Sequence, residues 1–334
     1  MIARVRAWRD HLRTLAPDGT SLSPAGAQAA WDVALDALTD DALATAAAIP
    51  GAPFATACVV VAGTVPTAAI EWCAALALRG TQVTVKHPTS HPGLLPLLVD
   101  AARSVGLPIR ITDDRSAVAD ADLVAVMGSD ETVRAIRTAA RADARVLAHG
   151  HRFSVAWVTG DDAFHGLAED AALQDGRGCL SPVIAFSPRE DALERLAEAC
   201  AAVAARWPTG DVDAIEGAEI RTREALARVT GAVRAGPGWS IHLLPLDRVV
   251  PIALPRSVLL VRCDDPAAAA QALGLWGRHL STVGTDDDAA AEAFVTAGAS
   301  RVCRPGQMQR PPLVRVHDGE AWLHTLVRAI GRER

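Results

Sequence analysis

The stretch ATACVVVAG, residues 55–63, decides which fold the chain is predicted to adopt. It is an uninterrupted apolar run of β-type residues, and such runs are typical of strands buried on both faces. A helical pattern from Pro66 to Leu78 follows it and ends at Gly80, and TQVTVK (81–86) is the next strand. A strand, a helix and another strand in this order predict two parallel strands joined by a crossover helix.

Strands and helices continue to alternate along most of the chain. Further strands are predicted at 108–112, 121–128, 144–150, 153–160, 182–187, 239–244, 257–263, 279–285 and 299–306. Further helices are predicted at 92–105, 129–142, 162–173, 189–206, 216–234, 266–275, 288–297 and 320–331. Apolar strands that alternate with helices predict parallel sheets covered by helices on both faces, which is the doubly wound α/β class.

The length of the chain predicts more than one domain. With 334 residues it is longer than most single domains, so we expect two lobes, each with its own core. Residues 1–50 form an N-terminal helical segment in this interpretation. Residues 51–150, joined by about 307–334, form the first lobe, and residues 151–306 form the second.

Composition and charge exclude several classes of protein. The net charge of −6 and the lack of a concentrated Lys/Arg stripe argue against nucleic acid as a partner. Tyrosine is absent, which excludes the Tyr-Lys chemistry of short-chain dehydrogenases. No apolar run approaches the roughly 20 residues of a membrane-spanning helix. The start, MIARVRAWRDHLRTL, resembles an amphipathic helix and not a secretory signal, so a cytoplasmic protein is expected.

Six cysteines are scattered along the chain without a CxxC pair or metal-ligand spacing, so we predict neither a metal site nor disulfides. Five of them lie in apolar strand or helix patterns and are expected to be buried filler. Cys179 differs because it lies in GRGCLSP (176–182), where two glycines leave room for close backbone approach and Arg177 supplies positive charge. Spacing alone leaves a structural and a catalytic role equally open for this thiol.

Three further motifs stand at predicted strand ends, where α/β sheets bind their ligands. They are AGTVP (62–66), Lys86 in VKHPTS, and MGSDE (127–131), in which Ser129 is the expected helix N-cap. Each alone is better explained as a turn, a surface lysine or a structural cap. Together, at successive strand ends, they predict a nucleotide site, although no GxGxxG motif is present.

The order of these motifs resembles the LuxC-type acyl-CoA reductases, a branch of the aldehyde dehydrogenase superfamily. The resemblance covers roughly residues 55–320, from GTVP through VKHPTS, MGSDETVRAIR, AHGHRFSVAWV and GRGCLSP to GQMQRPPLVRVHDG. It implies an aldehyde-dehydrogenase-like fold of two doubly wound α/β lobes with the active site in the cleft between them. The first lobe would bind NADP, and the second would carry the nucleophilic cysteine.

The resemblance also implies a role for individual residues. Cys179 would be the nucleophile, and Thr64 stands where the superfamily has an oxyanion-binding Asn. The cofactor would be held by Lys86 at the adenosine ribose and by Ser129 at the pyrophosphate. Both motif glycines, Gly63 and Gly128, would line the same cofactor site.

Three departures from the superfamily pattern bear on the activity. Thr64 replaces an amide by a hydroxyl. Thr89 stands where NAD-preferring relatives carry a Glu, so NADPH is the expected cofactor. Ala148 stands in the region where aldehyde-oxidising relatives carry the Glu that activates water, and the neighbouring His149 and His151 are expected to be strand-end hydrogen-bonding residues.

The resemblance therefore implies reduction of a fatty acyl-CoA or acyl-carrier-protein thioester to an aldehyde with NADPH, through an acyl-cysteine intermediate. Two alternatives stay open. One is an aldehyde dehydrogenase acting in the oxidising direction. The other is a non-catalytic relative that binds nucleotide or acyl groups, for which Thr64 is the best support. Acyl chain length and assembly into a homo-oligomer are not determined by the sequence.

Overall fold

The computed structural model describes residues 1–88 and 93–331. The chain divides into two compact units. The first unit contains residues 1–20, 30–151 and 311–334, and the second contains residues 21–29 and 152–310. The first 50 residues are largely helical, but they are shared between the two units and form no separate one. No helix in the described part of the chain is long and apolar enough to cross a membrane.

The first unit is built around a parallel sheet. Up to residue 151 the strands of this unit are β1 (Ala52–Pro53), β2 (Thr56–Val60), β3 (Gln82–Lys86), β4 (Ile109–Thr112), β5 (Leu123–Met127) and β6 (Arg145–His149). Its helices are α1 (Ile2–Leu12), most of α2 (Pro24–Asp36), α3 (Asp40–Ala48), α4 (Ala68–Leu78), α5 (Leu94–Ser104) and α6 (Asp130–Ala139). The five longer strands pair in parallel in the order β4-β3-β2-β5-β6.

This strand order explains why the run at residues 55–63 is apolar throughout. The strand β2 lies in the middle of the sheet, and side chains from both of its faces are buried. Val59 belongs to the core on one face, and Cys58 and Val60 belong to the core on the other. The N-terminal helices extend the first of these cores, where the indole N–H of Trp8 donates to the carbonyl of Leu98 at 3.0 Å.

The second unit repeats the pattern with seven strands. They are β7 (Phe153–Trp157), β8 (Pro182–Ser187), β9 (Ala232–Gly236), β10 (Trp239–Leu244), β11 (Ser257–Arg262), β12 (Leu280–Gly284) and β13 (Arg301–Cys303). The helices are α7 (Asp161–Ala172), α8 (Ala192–Arg206), α9 (Ala214–Thr230), α10 (Pro266–Ala272) and α11 (Asp288–Ala297). The strand order is β13-β12-β7-β8-β11-β10-β9, with only β9 antiparallel to its neighbour. Apolar cores lie on both faces of this sheet.

The doubly wound α/β class is therefore confirmed, and two local predictions are wrong. The helix predicted at 216–234 ends at Thr230, because residues 232–236 form the edge strand β9. In place of the helix predicted at 320–331 the structure has two short strands and a one-turn helix: β15 (Glu320–Ala321), α12 (Trp322–Thr325) and β16 (Val327–Arg328). The short strand β14 (Val316–His317) precedes them. The reason is the Asp318-Gly319 pair, whose φ angles of 50° and 86° make a tight hairpin turn between β14 and β15.

Candidate active site

Cys179 lies in the second unit, in a segment between α7 and β8 that we call the cysteine loop (residues 174–181). Cys179 is exposed, whereas Cys303 is half-buried and the other four cysteines, Cys58, Cys73, Cys200 and Cys263, are buried. Burial raises the pKa of the Cys200 thiol to about 12. A buried thiol with so high a pKa is protonated at neutral pH and is not a nucleophile, because the thiolate is the reactive form.

The start of the cysteine loop is fixed by charged groups. Asp175 is 1% exposed, and its carboxylate accepts hydrogen bonds from the Nε of Arg256 at 2.7 Å and from the backbone N–H of Gly210 at 3.0 Å. The sequence predicts that Arg177 supplies positive charge to the thiol. In the structure its guanidinium donates to both carboxylate oxygens of Glu216, at 3.0 and 2.8 Å. This pairing neutralises the guanidinium locally, so Arg177 anchors the loop.

The rest of the loop is held through hydroxyl groups. The hydroxyl of Ser154, on β7, donates to the carbonyl of Cys179 at 2.7 Å and accepts from the backbone N–H of Thr282 at 3.2 Å. At the end of the loop the amide of Gln309 is hydrogen-bonded to the hydroxyl of Ser181. The segment that carries Gln309 therefore helps to hold the cysteine loop. The polar composition of that segment did not predict this role.

In the first unit, two of the predicted cofactor motifs come together at one point of the sheet. The strands β2 and β5 are neighbours, and the connections from β2 to β3 and from β5 to β6 lead in opposite directions along the sheet. In sheets of this kind, ligands bind beyond the carboxyl ends of the strands where the order reverses. Gly63 and Thr64 follow β2, and Gly128 and Ser129 follow β5, so all four lie at this position. Thr64 is exposed.

The turn after β2 and the start of α6 differ in how closely they match the sequence pattern. Helix α4 begins at Ala68, two residues later than the first helical position predicted at Pro66. Helix α6 begins as predicted, because the hydroxyl of Ser129 accepts the backbone N–H of Thr132 at 3.1 Å. The carboxylate of Asp130, in the first turn, accepts the backbone N–H of His151 at 2.9 Å.

Lys86 is the last residue of β3, which neighbours β2, and it is half-buried. Its ammonium donates to the carbonyl of His87 at 2.8 Å. Lys86 therefore ends at the same edge of the sheet as the two glycine-containing turns. Thr89, the residue on which the predicted cofactor preference depends, lies outside the described residues.

His149 is the last residue of β6 and forms a hydrogen bond, as the sequence predicts, but its partners in a cluster with His317 and Asp318 were not predicted. The Nδ1 of His149 and a carboxylate oxygen of Asp318 are 2.8 Å apart, and the ring of His317 stacks on that of His149 with centroids 4.3 Å apart. Burial, followed by the neighbouring His149, lowers the pKa of His317 to about 4. Trp72 packs against both histidine rings.

The same three side chains, His149, His317 and Asp318, hold potential metal-ligand atoms within 4.8 Å of one another. The interplanar angle of 14° sets the two imidazole rings face to face, so their lone pairs lie in separate parallel planes and do not converge on one ion. Next to this cluster, Glu71 receives two hydrogen bonds from the guanidinium of Arg315, at 2.7 and 2.8 Å. In the sequence, the one indication that His317 and Asp318 lie beside β6 is the turn motif HDG at residues 317–319.

Ala148, next to His149 on β6, is half-buried and brings no titratable group. The resemblance implies that aldehyde-oxidising relatives carry the water-activating carboxylate in this region. This chain has only the methyl group of Ala148 there.

Comparison with known proteins relates this geometry to a family. A family model described as acyl-CoA reductase (LuxC) matches residues 112–329. No curated protein matches the chain. The NADP-dependent glyceraldehyde-3-phosphate dehydrogenase from Bacillus halodurans C-125, complexed with NADP, is similar with a TM-score of 0.70 at 16% identity, over 98% of this chain and 84% of that one.

Two other solved structures are similar to this chain. Aldehyde dehydrogenase 21 from Physcomitrella patens, in complex with the reaction product succinate, gives a TM-score of 0.71 at 13% identity, over 97% of this chain and 81% of that one. PnpE from Pseudomonas sp. WBC-3 gives 0.69 at 15% identity, over 91% and 75%. These likenesses confirm the fold, and the family match confirms the resemblance. The chain belongs to the acyl-CoA reductase (LuxC) family and has the aldehyde dehydrogenase fold.

Proposed function

We propose that this member of the family reduces an acyl-CoA thioester to the aldehyde with NADPH, and that Cys179 carries the acyl group between the two half-reactions. The observation that carries the proposal is the exposure of Cys179 in a loop whose Asp175, Arg177 and Ser181 side chains are held by hydrogen bonds. An exposed thiol in a held loop is the arrangement that a nucleophilic cysteine needs.

The reaction divides into an acylation and a reduction. The Cys179 thiolate attacks the thioester carbonyl, and the carbon–sulfur bond to CoA breaks as the CoA thiolate leaves. Hydride from NADPH then adds to the carbonyl carbon of the acyl-cysteine, and the thiohemiacetal oxyanion collapses to the aldehyde and expels the cysteine thiolate. Solvent supplies the one proton that the CoA thiolate takes up. Thr64 would stabilise the oxyanion through its hydroxyl in place of the amide that relatives use.

The cofactor is proposed to bind at the point in the first sheet where the strand order reverses. The backbone at Gly63 and Gly128 allows close approach of a dinucleotide, and Ser129 opens a helix whose N-terminus favours a pyrophosphate. NADPH is favoured because Lys86 can pair with a 2′-phosphate and Thr89 presents no carboxylate against it. Thr89→Glu should shift the preference toward NADH by roughly tenfold, since each such charge interaction is worth about 1 kcal/mol. Equal use of both cofactors by the wild type would contradict this assignment.

A non-catalytic binding role is the second candidate, and Thr64 is the observation that favours it. Oxidation of aldehydes is disfavoured by Ala148, which cannot activate water. The deciding assay follows NADPH consumption with a panel of acyl-CoA and acyl-carrier-protein thioesters of increasing chain length. Aldehyde formed in step with NADPH oxidation supports the reductase. Tight NADPH binding without turnover on any thioester would favour the binding role.

A further inference from the structure

The backbone at the start of the cysteine loop adopts an unusual conformation. Gln174, Asp175 and Gly176 have φ angles of 55°, 51° and 71°, and Arg256, which is hydrogen-bonded to Asp175, has a φ of 44°. Residues other than glycine seldom adopt positive φ, and where they do the surrounding structure must impose it. Two consecutive non-glycine residues of this kind lie within five residues of Cys179.

A buried ion pair imposes this conformation. Asp175 and Arg256 have side chains that are 1% and 3% exposed. Besides the bond from Arg256 Nε to the Asp175 carboxylate, the backbone N–H of Arg256 donates to the carbonyl of Asp175 at 3.1 Å. The Arg256 guanidinium also donates to the carbonyls of Trp207 and Pro208. Both charges are therefore compensated inside the unit, and removal of one would leave the other buried without its partner.

The ion pair continues into the residues next to Cys179. Asp175 also pairs with Arg177 at 3.4 Å, and Arg177 is held by Glu216 and by the carbonyl of Asp211, at 2.6 Å. Since Arg177 is two residues before Cys179, this anchor affects the orientation of the Cys179 side chain. On the other side, Ser154 fixes the carbonyl of Cys179.

We propose that Asp175 and Arg256 are positioning residues: they hold the cysteine loop so that the thiol of Cys179 is oriented for attack on the thioester. This inference rests on the proposed function and adds to it the residues that set the geometry of the nucleophile. Misplacement of a reacting group by about 1 Å can slow a reaction on the order of 100-fold. Orientation should therefore govern acylation, and it should matter little for a small alkylating reagent.

The test compares these two reactions in the Asp175→Asn variant. Asparagine tolerates positive φ, so the substitution removes the charge while leaving the backbone preference. Acylation is followed by intact-protein mass spectrometry after rapid mixing with acyl-CoA in the absence of NADPH. Alkylation of Cys179 by iodoacetamide is measured above pH 9 and mapped by peptide mass spectrometry. Asp191→Asn is the matched control, because Asp191 is also paired with arginines but contacts Arg189 and Arg195, away from the loop.

We expect acylation of Asp175→Asn to slow on the order of 10- to 100-fold while alkylation of Cys179 stays within about threefold of the wild type. Asp191→Asn should match the wild type in both reactions. Buried Cys200, in the same unit, reports on folding, because it should remain unmodified. Should Asp175→Asn expose Cys200, the same comparison is made with Arg256→Lys, which keeps the positive charge and removes the Nε–H that donates to Asp175.

The outcomes separate the two proposals. Acylation at the wild-type rate in the folded Asp175→Asn protein, or in Arg256→Lys when that variant is needed, would overturn the positioning role alone. A parallel loss of acylation and alkylation would also overturn it, since the thiol itself would then be inaccessible. A wild-type protein that is never acylated, although Cys179 is alkylated readily, would overturn the proposed function and this inference with it.

Discussion

The six cysteines of this chain differ in their surroundings far more than in their sequence neighbourhoods. Burial raises the pKa of Cys73 to about 12 and that of Cys58 to about 11, so both are protonated and enclosed at neutral pH. Cys179 is exposed on a loop fixed by Asp175, Arg177 and Ser154. At the scale of the residue, exposure together with a fixed backbone separates a candidate nucleophile from filler.

Cys179→Ala should abolish acyl-CoA-dependent NADPH oxidation and leave the dissociation constant of NADPH within a few-fold, because the proposed mechanism uses the thiol in the chemistry and not in the nucleotide site. Steady-state assays and fluorescence titration measure the two quantities. Cys200→Ala is the control: it removes a buried thiol of the same unit and should affect stability only. Turnover retained in Cys179→Ala would contradict the mechanism.

Acyl-enzyme should accumulate when acyl-CoA is supplied without NADPH, because Ala148 provides no general base for hydrolysis. Intact mass spectrometry should show one acyl group, mapped to Cys179 and stable for minutes. Addition of NADPH should release it as aldehyde, and addition of CoA should return acyl-CoA. Ala148→Glu tests the cause, since a positioned base contributes about 10²–10⁴-fold to such a step. Free fatty acid released by the wild type, with neither adduct nor aldehyde, would identify a hydrolase instead.

At the scale of the element, helix α6 has a capped N-terminus next to a strand end of the first sheet. Ser129 caps the helix through the backbone N–H of Thr132, and the segment follows β5 where the strand order reverses. Helix α3 has the same kind of cap, since the hydroxyl of Thr39 accepts the backbone N–H of Ala42 at 3.1 Å. The two caps are equivalent as structure, and only the first stands at a strand end of the sheet.

Ser129→Ala should therefore lower the stability of the first unit by about 1 kcal/mol, the usual effect of losing such a cap. It should also weaken NADPH binding several-fold, because the hydroxyl and the helix N-terminus would meet the pyrophosphate. Thr39→Ala should lower the stability by a similar amount and leave NADPH binding unchanged. Chemical denaturation and isothermal titration calorimetry measure both effects. Equal NADPH affinity in the two variants would remove Ser129 from the cofactor site.

At the scale of the whole molecule, stability depends on the buried carboxyl group of Asp170. Asp170, on α7, is fully buried and accepts the backbone N–H groups of Gly306 and Gln309, at 2.6 and 3.2 Å. Burial raises its pKa to about 7, although these hydrogen bonds act in the opposite direction. The carboxyl group thereby links the last segment of the second unit to the helix that leads into the cysteine loop.

This raised pKa sets the direction of a pH dependence. The folded protein holds the Asp170 proton more tightly than the unfolded chain, whose aspartate pKa is about 3.9, so stability from this group is complete below that pH and is lost as the pH rises toward 7. Relative to Asp170→Asn, the wild type should lose up to about 1.4 kcal/mol per pH unit in this interval. Denaturation curves at pH 4 to 8 measure the difference.

Asp191→Asn is the control for this measurement, and its difference from the wild type should stay nearly constant from pH 4 to 8 and change only in stronger acid. Hydrogen bonds from Arg189 and Arg195 hold the pKa of Asp191 below its usual value, so its contribution to stability is present at neutral pH and is lost in acid. A difference between wild type and Asp170→Asn that does not change with pH would contradict the raised pKa of Asp170.

The sequence by itself determined most of the strands, the class of fold and the positions of the motifs. An apolar run such as residues 55–63, rich in β-branched residues, favours a strand buried on both faces, and a serine before acidic residues favours the start of a helix. These properties are local, so they can be read from neighbouring residues. The family also followed from the sequence, because the order of short motifs is preserved along the chain.

Only the tertiary structure decided how distant residues are paired. Arg177 meets Glu216 across 39 positions and His149 meets Asp318 across 169, and nothing local marks either pair. The same holds for β9, which becomes a strand because β10 offers an edge to pair with, and for the C-terminal segment, where a hairpin and a pairing with β1 replace the predicted helix. A charged side chain or a strand edge is satisfied by whichever partner the packed core brings within hydrogen-bonding distance, and that choice depends on the whole fold.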